Sequence, residues 1–245
     1  MVATFLGTRG EIDIRSRAHR RHSALALTAG DGTVMVDCGL DWSRAVWRLA
    51  PRAIVLTHAH DDHAGGLRGG SPCPVLGTAV TLDAIARFGI AKQRVVEPRT
   101  PFELAGLSFE AFPVEHSLRA PAVGYRITSG PTSLFYVPDL VAIPDRHDAL
   151  ARIDAYVGDG AAIARGIIRN RDGVRIGHAS IREQLGWCAA EGVARAIFTH
   201  CGSEIVRADG RTSSARIRAL GRAIGVDATI ARDGARLELE PLANR

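Results

Sequence analysis

Leu56-Thr57-His58-Ala59-His60-Asp61-Asp62-His63-Ala64-Gly65-Gly66 is the stretch that decides the reading of this chain. It grows out of a short apolar run, Ala53–Thr57, of the kind that forms a buried strand. Three imidazoles and two carboxylates then fall within six positions. Imidazole nitrogen and carboxylate oxygen are preferred donors for first-row divalent metals. Side chains alternate in extended backbone, so His58 and His60 point to one side and can share a metal. Asp62 and His63 fall where the chain turns, within reach of a second metal close by. The small residues that follow let the backbone pass tightly. A lone histidine is usually a surface or core residue. A dense His/Asp cluster between an apolar strand and Gly-Gly points to metal.

Composition bounds the rest. The chain has 245 residues, 46% apolar and 23% charged, which suits one globular domain over residues 1–245 and excludes a disordered chain or a coiled coil. Its four cysteines (Cys38, Cys73, Cys188, Cys201) are scattered and form no C-x-x-C pair, so they read as small buried residues rather than a disulfide scaffold or ligands. No apolar run reaches the ~18 residues of a membrane span. The first residues lack the pattern of a signal peptide, so a cytoplasmic, reducing setting is the expectation. Net charge is +5, and only Lys92 among the 31 cations is a lysine. Arginine's planar fork suits phosphate. The local cluster Arg15, Arg17, His19, Arg20, Arg21, His22 stands out, with His19 and His147 read as solvated.

Apolar runs at Val2–Leu6, Ala24–Thr28 and Thr33–Val36 predict three strands, the last two joined at Gly30-Asp31-Gly32. Helices are predicted over Asp41–Leu49 and Thr78–Phe88, the latter capped by Thr78. Further strands are predicted at Leu107–Val114, Val123–Ile127, Ser133–Val137 and Ala155–Val157. Ser180-Ile-Arg-Glu183 is a capping box that opens a helix to about Glu191. Ala196–Thr199 is a strand, Ser213–Ile224 a helix, and strands follow near Ala228–Ile230 and Leu237–Leu239. The order is α+β, with two sheets that each need a covering layer.

His-x-His-x-Asp-His after an apolar strand resembles the signature of the metallo-β-lactamase superfamily, and further residues match it across the chain. Asp37 ends an early strand, His116 stands in Pro113-Val-Glu-His-Ser117, Asp139 in Phe135-Tyr-Val-Pro-Asp139, and His200 in Ile197-Phe-Thr-His200. The resemblance implies a four-layer αββα sandwich of two mixed sheets flanked by helices. It implies two divalent metal ions, zinc foremost with manganese or iron as alternatives. His58, His60 and His116 would hold the first, Asp62, His63 and His200 the second, with Asp139 bridging and Asp37 fixing the His loop.

Asp at 139 disfavours a lactamase, and His at 60 departs from the di-iron flavoproteins of the superfamily. His116-Ser117, Val123-Gly124-Tyr125-Arg126-Ile127, Leu6-Gly7-Thr8 and His178-Ala179-Ser180 resemble the tRNase Z and cyclic phosphodiesterase branch. That implies a phosphodiesterase acting on a cyclic nucleotide, a small phosphodiester or a nucleic-acid end, through attack by a metal-activated hydroxide. The chain shows no Gly/Lys-rich insertion like the long tRNA-gripping arm of that branch; only the modest segment Arg165–Arg175, with Arg165, Arg169, Arg171 and Arg175, sits between Asp139 and His178. His178 would donate the leaving group's proton, and with Asp62 it forms the expected catalytic set. Arg20, Arg21 and His22 would bind substrate phosphate. A homodimer and no membrane are implied. A thioester or lactone hydrolase of the glyoxalase II type, or a metal-dependent nucleic-acid binder without turnover, are the alternatives.

Overall fold

Strand β1 (Val2–Gly7) alternates half-buried and buried residues, the pattern of a sheet with one face against a core. It pairs antiparallel with β2 (Ala24–Ala29), which pairs antiparallel with β3 (Gly32–Val36). The direction then changes. Strands β4 (Ala53–Val55), β5 (Val75–Gly77) and β6 (Gln93–Val95) add in parallel. β4 and β5 are buried throughout, as expected for parallel strands covered on both faces. The covering elements are the short helices α1 (Ala45–Leu49) and α3 (Ala79–Ala84); α2 (Asp61–Ala64) carries part of the His motif.

The second sheet repeats this plan. Strands β7 (Phe102–Leu104), β8 (Leu107–Val114), β9 (Ala122–Ser129) and β10 (Thr132–Tyr136) run antiparallel, and β11 (Ala155–Asp159), β14 (Arg195–Thr199) and β15 (Asp227–Ile230) continue in parallel. Helices α4 (Arg146–Leu150), α5 (Ile181–Ala190), α6 (Ser203–Arg207) and α7 (Gly210–Arg222) belong to this half. A separate hairpin, β12 (Ile167–Arg171) with β13 (Val174–His178), stands between β11 and α5. Strand β16 (Arg236–Glu238) returns to the edge of the first sheet beside β1.

Three apolar clusters define four layers. One lies between the sheets and includes Phe5, Leu27, Val36, Phe109, Tyr125 and Tyr136. A second joins the outer face of the second sheet (Phe112, Phe135, Phe198) to Leu150, Leu185 and Ile217 of the helices. A third joins Met35, Ile54 and Val75 to Val46, Leu82 and Ile85. Burying each such side chain contributes about 1.5–3 kcal/mol, so all three clusters hold the layers together. The αββα sandwich of two mixed sheets expected from the sequence is the observed fold.

The computed structural model describes residues 1–30 and 32–239; Asp31 of the expected Gly30-Asp31-Gly32 turn lies outside them, although Ala29 and Gly32 pair across it. The helix expected over Asp41–Leu49 is instead a 3-10 turn, Leu40–Trp42, followed by α1, which ends at left-handed Ala50. The one over Thr78–Phe88 begins as expected, with the Thr78 hydroxyl accepting from Thr81 N–H. It tightens into a 3-10 turn before Gly89. Helix α7 starts three residues earlier than expected because Asp209 is its cap. Strands β5, β6 and β7 are too short to give a periodic signal, and the sequence reading lacks them.

Candidate metal centre and active-site cavity

The site is assembled where strands end. Asp37 follows β3, the His motif follows β4, His116 follows β8, Asp139 follows β10, Asp159 closes β11 and His200 follows β14. These ends meet at one rim of the sandwich, the usual place for ligands in sheets with parallel strands.

Asp37 organises the motif from beneath. It is fully buried, adopts a left-handed φ of 63°, and accepts from the Thr57 N–H at 2.8 Å and the Thr57 hydroxyl at 3.0 Å. His63 Nδ1 donates to its other oxygen at 2.9 Å. The hydroxyl proton of Thr57 is thus spent on Asp37, and Thr57 Oγ1 accepts from His58 Nδ1 at 3.0 Å. His116 Nδ1 donates to the Gly177 carbonyl at 3.0 Å. In all three rings the outer nitrogen donates to a fixed acceptor, which leaves Nε2 as the atom that would meet a metal. Gly66 lets the motif close: a Cβ there would lie 2.4 Å from the Gly39 carbonyl oxygen.

The inward atoms converge. His58 Nε2 and His60 Nδ1 are 3.0 Å apart, and His116 Nε2 lies 3.2 Å from the same His60 nitrogen. Asp139 Oδ2 stands 3.2 Å from His58 Nε2, 3.1 Å from His63 Nε2 and 3.5 Å from His116 Nε2. Donors held ~2.0–2.1 Å from one tetrahedral ion stand ~3.3 Å from each other, which is this spacing. His200 presents Nε2 to Asp62 at 3.0 Å and Nδ1 to Asp139 at 2.8 Å. Three groups of potential ligands result: His58, His60, His116, Asp139; Asp62, His63, Asp139, His200; and Asp139, Asp159, His178, His200. Asp139 belongs to all three.

The charges fit a cation. Asp37, Asp62, Asp139 and Asp159 are buried, and among the described residues none of them pairs with a lysine or arginine. Asp62 Oδ1, His63 Nε2, Asp139 Oδ1 and His200 Nδ1 are buried without an aligned hydrogen bond. Such charge needs compensation. Without metal it falls to protons. Burial opposes charge on every group here, yet His200 and His63 hold Asp139 well below the ordinary carboxylate range, and His63 does so for Asp62. In return these carboxylates raise His63 and His200 well above the ordinary imidazole value. Burial together with neighbouring histidines pushes His58, His60 and His116 down to about 4, leaving them neutral and free to ligate.

A cavity of about 450 Å³ opens over these atoms. His178 stands on its wall as the last residue of β13, not at a helix start; the capping box Ser180–Glu183 begins α5 after it. His178 Nδ1 donates to Asp159 at 2.8 Å. Burial works against its charged form, but the Asp159 carboxylate outweighs this and raises it. Asp159 was not expected from the sequence. Its signal is Gly158-Asp159-Gly160 after a buried apolar strand, the same context as Asp37. Gly10, Glu11 and Ile12 also line it, held by buried Arg9, which donates to the Ile12 carbonyl and to Asp41, the latter at 2.6 Å. The hairpin, also absent from the sequence reading, places Ile167 on the cavity and Arg169 beside it, and Arg165 just before it lines the cavity as well. Its turn, Asp172-Gly173 with both residues at positive φ, is a hairpin signal that was there to be read.

The arginine cluster lies elsewhere. Arg20, Arg21 and His22 do not line the cavity over the metal-binding residues. The backbone N–H groups of Arg20 and Arg21 donate to Asp233, and the Arg21 guanidinium stacks 4.4 Å from the Trp42 ring. His22 is buried, its N–H donating to Asp41. His19 is not solvated but 5% exposed and bonded to Thr8; His147 is exposed and pairs with Glu191. Cys38, Cys188 and Cys201 are buried, and burial raises their thiols, while Cys73 is half-buried.

Residues 33–201 match the family model for the β-lactamase superfamily domain. A ribonuclease Z of Mycobacterium marinum is 27% identical over 241 residues, covering 80% of this chain and 85% of its own. Among solved structures, the metallo-β-lactamase fold protein YhfI of Bacillus subtilis superposes with a TM-score of 0.74 at 17% identity, covering 96% of this chain and 98% of that one. A diphosphatase of the PhnP family gives 0.72 at 20%, covering 98% of each, and the short form of human tRNase Z gives 0.68 at 16%, covering 98% and 100%. No helix among the described residues is long and apolar enough to cross a membrane. The chain belongs to the β-lactamase superfamily, as a metal-dependent hydrolase of the metallo-β-lactamase fold near the ribonuclease Z branch.

Proposed function

We propose that this protein is a phosphodiesterase that uses two divalent metal ions, zinc foremost, to cleave a nucleic-acid end or a small phosphodiester. The observation that carries the reading is Asp139, one buried carboxylate common to all three groups of ligands under an open cavity. His58, His60 and His116 would hold one ion, Asp62, His63 and His200 the other, with Asp139 between them. Ions bound there supply charge that stabilises phosphoryl oxygens and lowers the pKa of water.

The chain's own groups do the rest. Asp37 and Thr57 keep the imidazoles in the ligating tautomer. Asp159 fixes the His178 ring and favours its protonated form, so His178 is placed to give a proton to the leaving oxygen. Arg165, on the same wall, offers a guanidinium to the phosphoryl group or the adjoining sugar-phosphate. Ile12 and Ile167 give the cavity apolar sides against which a base or other leaving group can lie. The ribonuclease Z relatives support a nucleic-acid end.

The test is a substrate panel on metal-loaded protein: RNA with a 3′ extension, cyclic nucleotides, bis(p-nitrophenyl) phosphate, and a thioester and a lactone. Cleavage of the phosphodiesters is expected. Turnover of the thioester or lactone alone would overturn the reading in favour of the glyoxalase II type. Nucleic-acid binding with no cleavage would indicate a binder.

A further inference from the structure

A second cavity, of about 340 Å³, lies on the far side of the elements that wall the first. The loop after β1 gives Gly10–Ile12 to the active-site cavity and Ser16–His19 to this one. Helix α6 likewise gives Ser203 and Glu204 to the first and Ile205 to the second. The same loop and the same helix thus contribute to both spaces.

The lining of the second cavity is cationic. Arg17, Arg211 and Arg232 stand around it, and among the described residues none of the three enters an ion pair. Ser213 and Ser214, the fourth and fifth residues of the 13-residue helix α7, add hydroxyls near its N-terminal end. Asp209 caps that helix and is the carboxylate on the lining. Beneath them His19, 5% exposed, faces the cavity. Its Nδ1 is spent on Thr8 Oγ1, whose own proton goes to Asp233 at 2.7 Å. His19 Nε2 has no partner among the described residues. The three guanidiniums that ring this space without ion pairs suit the oxygens of a phosphate group.

We propose that this cavity is a phosphate-binding subsite, which takes a phosphate of the substrate beyond the one being cleaved. The assignment rests on the phosphodiesterase reading for its biological use, but not for its occupancy. A polynucleotide with its scissile linkage over Asp139 would cross the Gly10–Ile12 and α6 wall and set a flanking phosphate among Arg17, Arg211 and Arg232. A free phosphate monoester has the same chemistry, and the experiment separates the two sources.

The variant is Arg211→Ala/Arg232→Ala, both exposed and remote from the metal-binding residues. The metal-loaded protein is titrated with inorganic phosphate while the backbone amide resonances of Gly210–Ser214 are followed. Phosphate should move these resonances in the wild type and not in the double variant. In parallel, kcat/KM is measured on bis(p-nitrophenyl) phosphate and on a 3′-extended oligoribonucleotide. The short diester should be cleaved equally by both proteins. The oligonucleotide should lose about 10-fold or more through KM, with its log–log salt slope reduced by up to about one per arginine removed. Loss of the phosphate response with oligonucleotide cleavage intact would overturn the substrate role and leave a site for a free phosphate monoester. No phosphate response at these amides together with an unchanged oligonucleotide KM would overturn the proposal. If the wild type cleaves no phosphodiester at all, the phosphodiesterase reading fails, and the amide titration still decides the subsite by itself.

Discussion

The His58–His63 loop and the residues that face it from the second sheet hold the site in different ways. The loop packs its potential ligands into six positions at one strand end, and buried Asp37 secures it from below through Thr57 and His63. The facing set, His116, Asp139, Asp159, His178 and His200, comes from four strand ends and a hairpin, and its members secure one another. The first arrangement suits holding an ion and little else. Both sides line the cavity, but the second also brings the Asp159–His178 pair to it, and so can combine holding with proton transfer. Asp139 is where the two sides touch.

Replacing that contact should do the most damage. Asp139→Asn keeps the shape but removes the charge common to every ligand group, so phosphodiester turnover should fall by about 10³-fold or more, with bound metal per chain reduced. Elemental analysis beside kinetics checks this. His178→Ala attacks only the chemical side of the facing set. It should retain metal and lose about 10²-fold in kcat on a substrate with a poor leaving group, and far less on p-nitrophenyl esters, whose leaving group needs no proton. Equal losses on both would show that His178 does not act as the acid.

Asp37→Asn tests the loop side. It weakens the bonds to Thr57 and His63 without touching a ligand atom, and should cost about 10–100-fold in metal affinity, read by competition with a chelator. A smaller effect concerns His22, whose imidazole is pushed down to about 4 by burial first and then by Arg9, against the pull of Asp41. The unfolded chain protonates this ring with the ordinary pKa of about 6.5, so its share of stability is complete above about pH 6.5 and is lost as pH falls towards 4. Urea midpoints of His22→Gln should therefore decline less over that window than those of the wild type. The smallest effect is expected of Arg20→Ala/Arg21→Ala, which should leave KM for a short phosphodiester unchanged within about twofold, as surface changes away from a site usually do. A marked rise in KM would return these arginines to the substrate.

How much was legible follows the same division. The loop side could be read because its residues are adjacent and their chemistry is local: alternation, a turn and Gly-Gly. Most of the facing side could be found only by resemblance, since nothing in the sequence near His116 or His200 says which distant strand end each will meet. Asp159 went unnoticed because a single Asp between glycines has the look of an ordinary turn; parallel pairing of β11 with β10 and β14 is what brings it to the rim. The Arg20–His22 cluster misled because charge density is visible in sequence while direction is not. Asp233 and Asp41 tie down that segment, which does not line the cavity. Helices α1 and α3 came out shorter than their apolar spacing suggested because 3-10 turns take over at one end of each.

The most direct measurement is a metal titration of chelated protein with Zn²⁺ or Mn²⁺ while hydrolysis of bis(p-nitrophenyl) phosphate is followed. Turnover should be absent at the start, rise to a break at two ions per chain, and fail to appear in Asp139→Asn. Full activity in the chelated protein, or two bound ions with no turnover, would contradict the account.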